Sequence, residues 1–175
     1  MKHRREHVFH SIRPGDIGFD GGIGLSGWVI RTGTGSSYGH CWVYHSRNAD
    51  GTWLTLEAGP RDGLVFRTRK AGPNKVVRLW RNEDERVALL RASEKLAGSR
   101  YGWGEIARIV CRILGVKVRR WKDNPGRVIC SNHVTQAALA ARPELQHYLR
   151  FAPFEVWPGE LAITFDAMKW DQGEM

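Results

Sequence analysis

Cysteine is scarce in this chain. Three in 175 residues, an odd number, argue against a disulfide framework and leave thiol chemistry or burial as their use. Long apolar runs are missing too: none approaches the roughly 18 residues that cross a bilayer. The opening MKHRREHVFH has no apolar stretch behind its charges, so a cytoplasmic protein without a signal peptide is expected, any export needing a non-classical or phage-type route. No G-x-x-x-x-G-K-[ST] or strand-to-helix G-x-G-x-x-G occurs, which removes the usual phosphate cradles, and the glycine-rich passage GGIGLSGWVIRTGTGSSYGH reads as a loop around a short helix near Leu25 to Arg31. No H-E-x-x-H, second C-x-x-C, internal repeat, low-complexity tract or interdomain linker is visible.

Acidic residues are outnumbered, 18 against 27 Lys and Arg, for a net charge of +9 and a pI near 9.9. Such a surface attracts anionic polymers or an anionic membrane face. The charge is spread, its densest parts being Lys2 to Arg5, Arg67 to Lys70 and Lys117 to Lys122, and no zinc-finger, basic-zipper or RNP-like pattern accompanies it. Specific nucleic-acid binding is therefore not the expectation. With 42% hydrophobic and 26% charged residues and a mean hydropathy of -0.42, the chain fits a basic arm at 1–11 and one domain at 12–175.

The first half reads as β structure. RPGDIGF ends in a short strand, and HCWVYHS (40–46) and TWLTLEAG (52–59) flank an Asp-Gly turn, a strong hairpin signal. GLVFRTR (63–69) and KVVRLWR (75–81) supply two more strands of an antiparallel meander. From Asn82 the period lengthens to that of a helix. Asn82 caps an acidic first turn and Val87, Leu89, Leu90 and Leu96 form its apolar face. A second helix follows Ser99, with Ile106, Ile109, Val110, Ile113 and Leu114 as its buried stripe and Cys111 buried among them. A third runs from Cys130 through Val134, Ala137, Ala138 and Ala141 to Pro143. LAITF (161–165) suggests a last short strand. The fold class is α+β: a small, barrel-like antiparallel sheet packed against a few helices.

Cys130 stands at a helix start, where the dipole and unsatisfied N–H groups favour a thiolate. Local sequence leaves two uses open, a buried small residue or a nucleophile. A nucleophile needs a base and a group to orient it. His3, His7 and His10 fall in the basic arm and His147 beyond the helix end. His40 opens a strand whose alternation puts His40, Trp42 and Tyr44 on one face, and Glu57, on the neighbouring strand's face with Trp53 and Thr55, reaches it if the register allows. His133, three residues after Cys130, is the competing partner. C-S-N-H is also half a metal site, but His40 and Cys41 point to opposite faces of their strand, so no metal and no cofactor is expected.

Taken in order, RPGDIGF, Y-G-H-C-W-V-Y, L-E-A-G-P, S-R-Y-G-W-G, V-I-C-S-N-H-V and W-P-G-E-L resemble the NlpC/P60 superfamily. The resemblance is to its circularly permuted branch of YiiX-like and LRAT-like papain-fold hydrolases, and it covers about residues 12 to 165. It implies a cysteine hydrolase of amide bonds with Cys130 as nucleophile, His40 as base and Glu57 as the polar third member. Tyr101 in Y-G-W-G is similar to a tyrosine near the family's oxyanion site. The implied partners are a peptide, peptidoglycan-type or lipid-amide substrate. Asn132, where relatives carry an acidic residue, and the bulky Trp42 depart from the pattern. The class-distinct alternative is a non-catalytic basic binding protein of the same fold.

Overall fold

The structure, a computed structural model, describes residues 12–22, 24–70, 72–116, 126–150 and 156–171. The basic arm at 1–11, with its three histidines, and the Arg- and Lys-rich connection at 117–125 lie outside the described residues, as do 151–155. In chain order the elements are β1 (Ile17–Asp20), α1 (Gly24–Thr34), β2 (His40–Arg47), β3 (Trp53–Gly59), β4 (Gly63–Arg69), β5 (Lys75–Val77), α2 (Glu83–Lys95), β6 (Arg100–Tyr101), α3 (Trp103–Ile113), β7 (Arg127–Val128), α4 (Cys130–Ala141) and α5 (Pro158–Asp171), with a 3-10 turn at Pro143–His147.

β1 to β5 form one antiparallel sheet in the order β4-β3-β2-β1-β5, with β4 and β5 at its edges. The hairpin forms where Asn-Ala-Asp-Gly interrupts two aromatic-rich runs: the Gly51 N–H donates to the Asn48 carbonyl at 3.0 Å, and Gly51 takes a positive φ of 82°. Val43 then faces Leu56 and Tyr44 faces Thr55, before the register shifts between Tyr44 and Ser46. The expected fourth strand is shorter than its apolar pattern and lies on the far edge, beside β1 rather than β4. Its pairing with β1 ends at Val77 opposite Ile17, because β1 begins there. The preceding Asp16 is turned away, its buried carboxylate taking Arg78 Nε at 2.8 Å and Nη2 at 2.7 Å.

The alternation of β2 separates two packing layers. Cys41 and Val43 join Leu56 and Ala58 in the main core, beneath α2 and α4. Trp42 and Tyr44 face the other way, into a layer with Ile12 and Trp53. Helix α2 is capped as expected, the Asn82 side chain accepting the Glu85 N–H at 2.9 Å. Helix α4 buries Val134, Ala137, Ala138 and Ala141, and these small side chains let it approach the sheet closely.

Three further expectations are corrected. LAITF is not a strand but part of α5: Pro158 opens the helix, and Leu161, Phe165 and Met168 are buried at spacings of four and three. Five residues were too few to tell the two periods apart. Leu114, expected in the stripe of α3, lies one residue past the helix end and is 70% exposed. Ile106 is buried and Cys111 is only half-buried; the side chains of Ile109, Val110 and Ile113 lie outside the described residues. No described helix is long and apolar enough to cross a membrane.

A second, parallel pairing joins β6 to β7, with Tyr101 opposite Val128, and the Gly102 N–H donates to the Val128 carbonyl at 2.9 Å. β4 is tied to the turn before β6: the Leu64 N–H donates to the Ser99 carbonyl at 2.9 Å and the Gly98 N–H to the Leu64 carbonyl at 2.8 Å. Gly63 at this joint has φ +75°, and a Cβ there would lie 2.2 Å from the Ser99 oxygen, so no other residue fits.

Gly18, opposite Trp42 on β1, is equally constrained. A Cβ at Gly18 would lie 2.4 Å from the Trp42 ring, which is fully buried and carries the Arg69 guanidinium stacked at 3.5 Å. Gly18→Ala is expected to destabilise the fold by about 1–3 kcal/mol through overpacking, read as a lowered urea midpoint at unchanged m-value.

Candidate active site

The residues that sequence singled out come from three parts of the fold. β2 presents His40 at its first position, β3 presents Glu57 two residues from its end, and α4 begins with Cys130. The hairpin register sets His40 and Glu57 diagonally across one face, and the two side chains meet: His40 Nε2 lies 3.1 Å from Glu57 Oε2. This spends one ring nitrogen on the carboxylate and leaves Nδ1 for Cys130, whose sulfur interacts with the imidazole through hydrogen bonding and charge. His40 thus stands between the Glu57 carboxylate, at 3.1 Å, and the Cys130 sulfur, whose charge acts on the ring.

Glu57 is only 4% exposed, and a bare carboxylate there would be costly. Four donors surround it. Arg69, on β4, gives Nε to Oε1 at 2.5 Å and Nη2 to Oε2 at 3.0 Å; the Thr55 hydroxyl meets Oε1 at 2.5 Å; and His40 meets Oε2. Burial works against the charge, but His40 and Arg69 hold the carboxyl well below the usual carboxylate range. Arg69 is itself fixed on two further sides. Its Nη1 donates to Asp20 Oδ2 at 3.2 Å, and its guanidinium carbon lies 3.5 Å above the Trp42 ring, a close cation–π stack. Trp42 in turn lies 5.7 Å from the His40 ring, centroid to centroid. The bulky tryptophan, a departure from the resembled family, forms the floor of this charge network.

The sulfur is held by its own set of groups. Hydrogen bonding from the Cys41 thiol favours the Cys130 thiolate; burial opposes it, and the His40 ring and the Cys41 backbone N–H add to the favourable side, so its pKa falls well below that of an ordinary thiol. The helix start contributes, since Ile129 at the N-cap offers no side-chain hydrogen bond and the first turn has no acidic residue. For His40, burial disfavours the cation, but hydrogen bonding with Cys130 and Glu57 outweighs it and raises the pKa from 6.5 to about 10. These shifts favour a thiolate–imidazolium pair backed by a carboxylate.

Tyr101 is buried and lines the same cleft, two residues from Cys130 through the β6–β7 pairing. Burial and the Cys130 charge push its hydroxyl pKa upward, keeping it protonated. The cleft encloses about 340 Å³, and Gly22, Gly27, Gly39, Gly59 and Pro60 line it together with Asp20, Arg67 and Arg69. His133 is not part of it. Its Nε2 meets the Ser93 hydroxyl at 2.6 Å inside the α2–α4 interface, and burial, helped by the charge on His40, lowers its pKa to about 3. It is a neutral core residue.

Sequence reasoning missed Arg69, Asp20 and Cys41. Arg69 read only as part of a basic run, although its odd-numbered place on β4, in step with Arg67 and opposite Trp53, was a signal that it shares the face of Glu57. No family model matches this chain, and no curated protein matches it in sequence.

The protons of the pair fix its effect on stability. The native pair keeps one proton, as imidazolium. Below pH 6.5 the unfolded histidine gains a proton, so the unfolded state binds two and stability falls as pH drops. Above about pH 8.5 the unfolded cysteine loses its proton, so the unfolded state binds none and stability falls as pH rises towards the native His40 pKa of about 10. The stability difference between wild type and the Cys130→Ala/His40→Ala double variant is therefore expected to be level from about pH 6.5 to 8.5. Outside that plateau it should shrink by up to about 1.4 kcal/mol per pH unit on either side, measured by urea unfolding across pH.

Proposed function

We propose that this chain is a cysteine hydrolase that cleaves an amide bond, with a permuted papain-like arrangement of the NlpC/P60 type. One observation supports the reading: a thiol at a helix start, an imidazole and the clamped, buried carboxylate bonded to it line one cleft. The order of elements supports it as well, with the histidine strand preceding the cysteine helix and the helix packed on that strand.

The Cys130 thiolate attacks the substrate carbonyl, and backbone N–H groups at the uncapped start of α4 stabilise the oxyanion. Tyr101, whose hydroxyl stays protonated, stands on the cleft wall beside it. His40, as imidazolium, gives its proton to the leaving amine, and a thioester to Cys130 remains. His40 then takes a proton from water, which attacks the thioester and releases the acid. Glu57 keeps the ring oriented and stabilises its cation, while Arg69 and Thr55 keep Glu57 ionised and immobile.

The glycine-lined cleft suits a narrow guest such as a peptide backbone. A second substrate class, a lipid acyl amide or ester, draws support from α1: Ser26, Gly27 and Ile30 line the cleft, while Leu25 and Trp28 of the same helix are 76% and 56% exposed. Acyl chains would find apolar surface there.

The test begins with the thiol. Iodoacetamide is expected to modify Cys130 faster than Cys111 at pH 7, with a rate that holds as pH is lowered well below 7; His40→Ala should return the inflection towards the ordinary thiol pKa of about 8.5. Turnover of peptidoglycan-type peptides, other peptides and N-acyl lipids should vanish in Cys130→Ala and fall by about 10²–10⁴ in His40→Ala. A Cys130 of ordinary reactivity, with no turnover that the Cys130→Ala variant loses, would leave a non-catalytic binding protein.

Glu57→Gln keeps the shape but leaves Arg69 facing a neutral amide. The imidazolium then loses its counter-charge, so the acid limb of the iodoacetamide profile is expected to move to higher pH. Thr55→Val should change it far less.

A further inference from the structure

The residue next to the base is a second thiol, and the proposed hydrolysis makes no use of it. Cys41 follows His40 on β2 and points to the opposite face, into the core beneath α4. Cys130 is the first residue of α4, which packs on β2. The strand's alternation therefore sends His40 to the cleft side of the sulfur and Cys41 to its core side, into the same buried cluster as Cys130, where the Cys41 thiol and backbone N–H favour the Cys130 thiolate. Two of the three cysteines thus share one buried cluster, on adjoining elements.

Their surroundings differ in the way dithiol chemistry requires. Cys130 lines the cleft and is held as thiolate. Cys41 is fully buried, is not among the cleft-lining residues, and is kept protonated by burial and by the neighbouring Cys130 charge. An oxidant entering the cleft reaches only Cys130, and an oxidised Cys130 has a thiol already beside it.

We propose that Cys41 is a resolving cysteine, and that hydroperoxides convert the Cys41–Cys130 pair into a disulfide that reversibly silences the site. The Cys130 thiolate attacks the distal oxygen of a hydroperoxide ROOH. The O–O bond breaks, Cys130 is oxidised to a sulfenic acid, and the alkoxide leaves as ROH with the proton from His40. The Cys41 sulfur, giving up its proton, then attacks the Cys130 sulfur. The S–O bond breaks, the S–S bond forms and the oxygen departs as water. Two thiols and one hydroperoxide give one disulfide, one alcohol and one water, and an external dithiol restores the starting state. The device protects the nucleophile, since a sulfenic acid without a neighbouring thiol proceeds to forms that thiols do not reduce. It depends on the reactive Cys130 and not on which bond the site cleaves.

The test uses the full chain and hydrogen peroxide, with iodoacetamide labelling of Cys130 as the readout. Brief peroxide treatment of wild type should abolish labelling, lower the intact mass by two hydrogens and yield a peptide pair joined through Cys41 and Cys130. Dithiothreitol should restore labelling. In Cys41→Ala and Cys41→Ser the same treatment should add oxygen to Cys130, and labelling recovered by dithiothreitol should be at least about fivefold lower than in wild type. The linked peptide in wild type decides the matter even where a Cys41 variant fails to fold. Peroxide that leaves wild-type Cys130 as a sulfinic or sulfonic acid, or joins it to Cys111, overturns the proposal. So does recovery in the Cys41 variants equal to wild type. Loss of hydrolase turnover in every assay, with the disulfide still forming, would count against the hydrolytic reading alone.

Discussion

The Arg69–Glu57 clamp is the interaction on which the candidate site depends. A buried carboxylate is tolerable only because four donors converge on it, and the sheet places all of them. Thr55 lies on the same strand, His40 is diagonal on β2, and Arg69 reaches over from β4. The guanidinium is held by stacking on Trp42 and by Asp20 at the end of β1. The Trp42 ring fits only because its neighbour across the sheet is Gly18. Four adjacent strands therefore act together to hold one negative charge against one imidazole.

That charge is felt in order of distance. Glu57 favours the imidazolium, the imidazolium favours the thiolate, and burial, joined by the thiolate's charge, keeps the hydroxyl of Tyr101 and the thiol of Cys41 protonated. Alternating sign along the row makes each ionisation support the next. His133 lies inside the same core but outside this row. Among the described residues the Ser93 hydroxyl is its hydrogen-bond partner, and burial keeps it neutral.

How much of this was legible depended on the period of each element. The two strands of the hairpin are long, aromatic-rich and separated by Asp-Gly, so their alternation assigned His40 and Glu57 to faces, and only the register was missing. The uncapped helix start at Cys130 was likewise visible as a local switch in period. Arg69 was not, because in sequence it belongs to a basic run, and only the β3–β4 ladder shows which of those charges turns inward. Cys41 was set aside as facing away from His40. It does face away, and the helix laid over that second face supplies the partner that strand alternation cannot reveal. LAITF and KVVRLWR failed for reasons of length: one was too short to separate a strand from a helix, and the other outran the strand it pairs with.

The joint at Gly63 gives the cleft its character. β4, which carries Arg69, is fastened at its first residues to the turn that leads into β6, and β6 is laddered to β7, which runs directly into Cys130. The main chain therefore closes a loop from the clamp to the nucleophile, with no side chain able to enter at its tightest point. One wall of the cleft is therefore held by main-chain hydrogen bonds and not by side chains. The residues after Asp20 and helix α1 are the parts of its rim that lie outside that closed frame, so a change of width at the entrance can come from them without breaking the main-chain loop.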